Sequence, residues 1–245
     1  MKIIIKKIVW VTSILMWVAG SAGLVSAETS SRDNAWRFGA DLYAWGSSIG
    51  GEEAGGEDID IDLDDILDNL ELAFMGTFAV NKGKWSLAAD VIYLDAADKD
   101  AIAPGLDAKV ELTSWVVTPV VAYNIMDTGS FSIDLVGGAR YLYLKIDLKV
   151  DALDFRGDDS GSTWDAVIGA RGDINLTENF YLFGYLDIGT GESDLTWQAL
   201  GGAGYQLKWF DLIAAYRYLR WDFDDNDVLD NMYIYGPAAG IRFIF

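Results

Sequence analysis

The densest run of potential ligands is Glu57–Asp68, EDIDIDLDDILD, where seven of twelve residues are acids. Read against the calcium-loop template, Asp60, Asp62, Asp64, Asp68 and Glu71 fall at ligand positions 1, 3, 5, 9 and 12, with Leu67 at the apolar position 8. Position 6 of that template needs glycine for its sharp turn, and here it is Asp65. The flanking pattern is also that of strands, where the template needs helices. These five acids are therefore expected to offer, at most, loose divalent-cation coordination, and no metal site is assigned to them. Elsewhere, what is missing limits the chemistry more than what is present. The chain has no His and no Cys, which removes His-activated serine, thiolate nucleophiles and imidazole proton shuttles together. A pair of carboxylates of the glycosidase type is left open, but no spacing singles out two. No catalytic residue and no cofactor is expected.

The elements that must carry these residues begin after a processed N-terminus. Lys2, Lys6 and Lys7 precede an apolar run from Ile8 to about Val18, and Val25-Ser26-Ala27 supplies a small-x-small cleavage site. This reads as a secretory signal peptide over 1–27; the run is shorter than the roughly 20 residues a membrane helix needs. Its removal leaves one domain, 28–245, with 15 cations against 38 acids, a net charge of −23. That balance excludes nucleic acid as a partner, since phosphate backbones need Lys and Arg clusters. A content of 51% hydrophobic and 13% aromatic residues excludes disorder.

From residue 36 onward the pattern alternates with period two. Trp85, Leu87, Ala89, Val91 and Tyr93 share one face of a segment whose other face carries Ser86, Ala88, Asp90 and Ile92. Ten such segments are read: 36–48, 70–80, 85–95, 109–124, 131–148, 163–175, 180–190, 195–208, 211–223 and 232–245; eight is the alternative count. Short turns alternate with longer acidic connections at 49–69, 96–108, 149–162, 191–194 and 224–231. Mid-strand charges all fall opposite the aromatic and aliphatic parity. They are Arg37, Asp41, Glu71, Asp90, Asp134, Arg140, Asp165, Arg171, Asp173, Asp187, Arg217 and Arg242. Lys109, Glu111, Lys145 and Asp147 break the rule, but only beyond the aromatics at strand ends. Asn175-Leu-Thr177 reads as turn chemistry, and Gly201-Gly-Ala-Gly204 lies inside a strand pattern with no helix after it.

A soluble sandwich would show the same alternation, so aromatic placement has to decide. One set (Trp36, Trp85, Tyr123, Phe131, Phe180, Phe243) lies beside the short turns. A second (Tyr93, Trp115, Tyr141, Trp164, Trp197, Tyr218) lies toward the long loops. Trp85 to Tyr93 spans eight residue steps, a climb of roughly 20 Å at a 40° tilt, close to the ~25 Å apolar band of a membrane barrel. The fold class expected is all-β, a closed antiparallel transmembrane β-barrel of about ten strands.

The signal peptide, the alternating strands and the closing Gly236-Pro-Ala-Ala-Gly-Ile-Arg-Phe-Ile-Phe245 together resemble a Gram-negative outer-membrane β-barrel protein. The segment from Ile61 to Asp95 resembles poorly characterised members of the same class. The resemblance covers 28–245. It implies secretion across the inner membrane, residence in the outer membrane, and contact with outer-membrane lipid and lipopolysaccharide. It also implies recognition by the barrel-assembly machinery through Phe243 and Phe245. The protease, palmitoyl-transfer, deacylase and phospholipase barrels of this class are understood to use a catalytic His, so their mechanisms map onto no residue here. The resemblance is specific for location and architecture and carries no activity; the function expected is a structural or surface-interaction barrel without catalytic activity. A small cation-favouring pore or passage for small solutes is the alternative, and a carboxylate enzyme the third. The inward charges are expected to interlock as a salt-bridge core that blocks flow. The acidic 49–69 stretch is expected as an external loop whose Asp58–Asp64 segment and following short helical turn form a lid, with divalent cations as its conceivable partner.

Overall fold

The computed structural model describes residues 34–53, 58–61, 70–103, 106–150, 155–223 and 229–245. The signal peptide, and Asp62, Asp64 and Asp68 of the acidic stretch with the helical turn expected there, lie outside the described residues. Twelve strands follow in order: β1 Trp36–Trp45, β2 Ser48–Glu53, β3 Asp58–Ile61, β4 Leu70–Lys82, β5 Trp85–Ala103, β6 Leu106–Asp127, β7 Phe131–Val150, β8 Phe155–Asn175, β9 Phe180–Gly191, β10 Leu195–Gln206, β11 Asp211–Asp222 and β12 Leu229–Ile244. Ten of them, β1 and β4 to β12, form an antiparallel meander that closes when β1 pairs with β12, from Gly39↔Ile244 to Trp45↔Ala238. Closure leaves no sheet edge in the band that meets lipid, as hydrocarbon requires.

Side-chain partition fixes which solvent the barrel sits in. On the outward parity, Ile168 is 68% exposed and Leu186 58%, whereas inward Arg140 and Arg242 are both 0% exposed. A water-soluble sandwich would reverse this, so the outer surface is built for hydrocarbon. Aromatics bound the band on both sides. Phe74, Tyr93, Trp115 and Tyr143 occupy one continuous rung across β4–β7. On the short-turn side Trp85 meets Tyr123 edge-on at 4.8 Å, and Lys82 sits 4.7 Å over the Trp36 ring. The tight β4–β5 connection turns on Gly83, whose φ of +56° suits a residue without Cβ.

Three expectations are corrected. The stretches 96–108 and 149–162 are largely strand, because β5 runs to Ala103, β6 starts at Leu106, β7 runs to Val150 and β8 starts at Phe155. Above the girdle the charged residues take the outward parity, so the alternation continues with its solvent reversed. The 49–69 stretch is not simply a loop: β2 and β3 form a hairpin in which Asp60 pairs in register with Gly50, and β2 lies along the upper half of β12. The expected single first strand is also interrupted at Gly46-Ser47. There Gly236 of β12 has φ +155°, and a Cβ on it would lie 2.0 Å from the Gly46 carbonyl oxygen, so only glycine lets the two chains pass. The Trp45 indole N–H donates to the Gly236 carbonyl at 3.2 Å and holds the crossing.

Candidate functional site

The lumen is filled in layers. In the half nearer the short turns, Tyr181, Phe183, Leu200 and Ile213 form an apolar cluster with Ala79, Ala88, Val120 and Val136. In the outer half a second cluster joins Tyr43, Trp45 and Met75 to Ile92, Val116, Leu142, Leu219, Trp221 and Met232. Residues from opposite walls meet in each. Threaded through them is the charged network.

Four arginines organise it, each 0–5% exposed. Arg217 of β11 pairs with Asp90 of β5 at 2.9 Å and donates to Gln198 Oε1 at 2.6 and 3.0 Å and to the Tyr43 hydroxyl at 2.9 Å. Tyr43 in turn donates to Asp90 through a short hydrogen bond, and Thr77 donates to the same carboxylate at 3.0 Å. Its guanidinium also stacks 4.9 Å from the Trp45 ring. Since β5 and β11 are not neighbours in the sheet, this pair crosses the lumen. Arg242 grips the Asp41 carboxylate with two nitrogens, at 3.0 and 3.1 Å, and reaches the Tyr181 hydroxyl at 3.2 Å; Tyr181 donates to Asp211 at 2.9 Å. Arg140 donates to Asp187 at 2.6 Å and to Thr196 at 2.9 Å, while Tyr185 donates to Asp187 at 2.6 Å. Arg171 donates to Asp134 at 2.7 Å and, from β8 across to β5, to Ser86 at 2.8 Å. Asn124 completes Asp134 at 2.7 Å.

The strand parity that places these side chains also explains why they pair. Charges buried in a narrow barrel are tolerable only when compensated and hydrogen-bonded. Asp134 stands directly opposite Arg171 and Asp41 opposite Arg242, so the ladder register supplies each partner. Arg140 faces Asp165 across the same ladder, yet its ion pair is with Asp187; Asp165 instead accepts the Ser193 backbone N–H at 2.9 Å and anchors the β9–β10 connection. Asp173 accepts from Ser132 at 2.7 Å near the β8 end. Arg37 lies at the short-turn mouth, where it lines a polar basin with Glu178, Lys208, Asp211 and Arg242. Glu71 lies on β4, but its side chain is outside the described residues, as is that of Asp60. No group of three metal-ligating side chains occurs among the described residues.

The neutral members were not singled out from sequence: Tyr43, Tyr181, Tyr185, Gln198, Thr196 and Thr77, together with the acid Asp211. The signal for them is positional, since each lies on the parity of the charges. Phe243 and Phe245 sit at the closing seam. The Phe38 N–H donates to the Phe245 carbonyl at 2.7 Å, and the Phe245 N–H returns the bond at 3.0 Å. The parity breakers stand outside, above the girdle. Lys109 and Lys149 each reach Glu111 at 2.6 Å, and Lys145 reaches Asp147 at 2.7 Å.

Solved structures share the closed antiparallel meander. The outer membrane protease OmpT from Escherichia coli aligns with a TM-score of 0.52 at 13% identity, covering 88% of this chain and all of that one. The fold is that of an outer-membrane β-barrel. The translocator domain of the autotransporter NalP from Neisseria meningitidis (TM-score 0.47, 14% identity, 88% and 90% of the two chains) is a more distant likeness. So is Ail, the attachment invasion locus protein of Yersinia pestis, at 0.39, 12%, 85% and 98%. No protein-family model and no curated protein matches the sequence. At these identities the likeness carries the fold and no activity.

Proposed function

We propose that this protein is a closed, non-catalytic barrel of the outer membrane with a structural or surface-interaction role. The observation that carries the reading is the Arg217–Asp90 pair, which ties β11 to β5 through the lumen with Tyr43, Thr77 and Gln198 around it. A ten-stranded barrel leaves little space once its interior side chains are placed, and here those side chains cross-link opposite walls. Asp41, Asp90, Asp134 and Asp187 are all engaged by arginine. A glycosidase-type pair needs one carboxyl free to protonate a leaving group, which these lack. Export through a signal peptide cleaved after Ala27, assembly through the Phe243 and Phe245 terminus, and lipid and lipopolysaccharide as surroundings belong to the same reading. Purified protein in a planar bilayer tests it: the closed reading expects no stable current.

One observation favours a second reading. Among the described residues, six buried acids (Asp41, Asp90, Asp134, Asp165, Asp187, Asp211) face four buried arginines, an acidic balance. If the network opens, the passage favours cations. The same recording, with asymmetric KCl, gives the selectivity.

A further inference from the structure

In the lumen, Asp41, Asp90, Asp134 and Asp187 each meet an arginine. Asp211, at the short-turn mouth, does not. Arg242 stands opposite it in the β11–β12 ladder but turns its guanidinium to Asp41. Asp211 is 6% exposed; its Oδ2 accepts from the Tyr181 hydroxyl at 2.9 Å, and its Oδ1 accepts no hydrogen bond among the described residues. This carboxylate lines a polar basin of about 700 Å³, within the size range of small-ligand sites. A carboxylate is acceptor-only, and burying it with an open oxygen is unfavourable unless a donor reaches it. The floor of the basin therefore selects a ligand that carries hydroxyl or ammonium hydrogens.

The rim is built from two tight turns, 176–179 and 207–210, and it is fixed. The Leu176 and Leu207 N–H groups close the turns on the Phe180 and Phe210 carbonyls at 2.9 and 3.0 Å. The Gln206 N–H ties one turn to the other through the Asn179 carbonyl at 2.8 Å. On this rim Glu178 and Lys208 are exposed, line the basin, and make no hydrogen bond or ion pair among the described residues. The Lys208 ammonium lies 5.2 Å over the Trp209 ring, which is itself 77% exposed. The open groups are thus two acids, one ammonium and one aromatic face. A simple anion or a simple cation would meet only half of them. A zwitterion that also carries a sugar ring meets them all. Its ammonium and hydroxyls go to Asp211 and Glu178, its carboxylate to Lys208, and the apolar face of its ring to Trp209.

We propose that this basin binds the zwitterionic glycopeptide of the cell wall, an amino sugar bearing a short peptide with free amine and carboxylate groups. The proposal rests on the outer-membrane placement, in which short turns face the periplasm where that polymer lies, and it gives the surface-interaction role a partner. The same chemistry is offered by the intact polymer and by soluble fragments released from it. Because the rim is held by its own backbone bonds, the basin is formed before the ligand arrives.

The test compares the full-length mature protein in detergent micelles with two variants, Glu178→Gln/Lys208→Gln on the exposed rim and Asp211→Asn on the floor. The probe is the soluble disaccharide-tetrapeptide of the cell wall, titrated by calorimetry. The wild type is expected to saturate, and each variant to bind roughly tenfold or more weakly, the loss of a charge-assisted hydrogen bond. Acetylating the free amine of the peptide is expected to weaken wild-type binding to a similar degree. Failure of the wild type to bind overturns the proposal, as does equal binding by the wild type and the rim variant, or undiminished binding of the acetylated fragment. Co-sedimentation with purified cell-wall sacculi distinguishes the two sources. Retention that the soluble fragment competes away assigns the polymer, and fragment binding without retention assigns the released fragments. A folded, fast-migrating band in heat-modifiable gels shows that each variant has folded. Its absence in the wild type would instead overturn the membrane placement.

Discussion

Replacing Arg217 with Met is the sharpest perturbation of the lumen. The guanidinium is 1% exposed and is engaged by Asp90 at 2.9 Å, Gln198 at 2.6 Å and Tyr43 at 2.9 Å. Methionine fills part of the same volume but leaves Asp90 as a buried carboxylate supported only by Thr77 and Tyr43. Removing one partner of a buried pair costs about 3–5 kcal/mol, mostly because the survivor is left uncompensated. A loss of ~4 kcal/mol lowers the folding equilibrium constant almost a thousandfold. Urea titration in micelles, followed by tryptophan fluorescence, measures it. Removing both charges, in Arg217→Met/Asp90→Asn, should be milder than the sum of the two single changes by ~2 kcal/mol or more, because no orphan charge is left. A single-variant cost below about 1 kcal/mol, or strict additivity in the double, would refute the view that this pair cross-links the barrel.

Three further outcomes follow from other parts of the molecule. Hydrogen bonds from Lys109 and Lys149 lower the Glu111 carboxyl to about 2, so its contribution is fully present above the unfolded value near 4.3 and is lost as pH falls toward 2. Glu111→Gln should flatten the fall in the unfolding midpoint over that window, an effect on the order of 1 kcal/mol for so accessible a triad; identical pH profiles would count against the triad. Gly236→Ala should cost about 1–3 kcal/mol, since its Cβ collides with the Gly46 carbonyl, and an unchanged urea midpoint would refute a tight crossing of the two chains there. Deleting Phe245 removes both of its backbone bonds to Phe38 and should slow the appearance of the folded band in membranes, whereas wild-type kinetics would remove this residue from the assembly signal.

Much of the barrel was readable because its two periodicities coincide: Asp134, Arg140, Arg171 and Asp187 lie on one parity while Leu135, Tyr141, Ile168 and Leu186 lie on the other. Alternation and girdle spacing then indicate the facing and a count of about ten strands, with eight as the alternative that closure in the structure removes. The upper reaches of β5–β8 were not readable in the same way. Above the girdle, Glu111 and Lys145 take the parity that Trp115 and Tyr143 hold below it, so an unbroken strand looks like the start of a polar loop. Register-dependent pairs such as Asp41–Arg242 needed only the ladder. The Arg217–Asp90 contact needed closure as well, because nothing local in either strand brings β5 and β11 together. Tyr43 and Tyr181 were hidden by their neutrality: a tyrosine on the inward parity reads as filler until a carboxylate is found at its hydroxyl. The crossing at Gly236 gave no signal beyond the Gly-Pro pair itself.

The proposed function rests on closure of the lumen by arginine–carboxylate pairs that tie its opposite walls. Single-channel recording on the purified wild-type barrel in a planar bilayer at neutral pH addresses it most directly. The closed network predicts no stable conductance above the bare bilayer. A persistent cation-selective current in the wild type would contradict it and establish the acidic lumen as a pore.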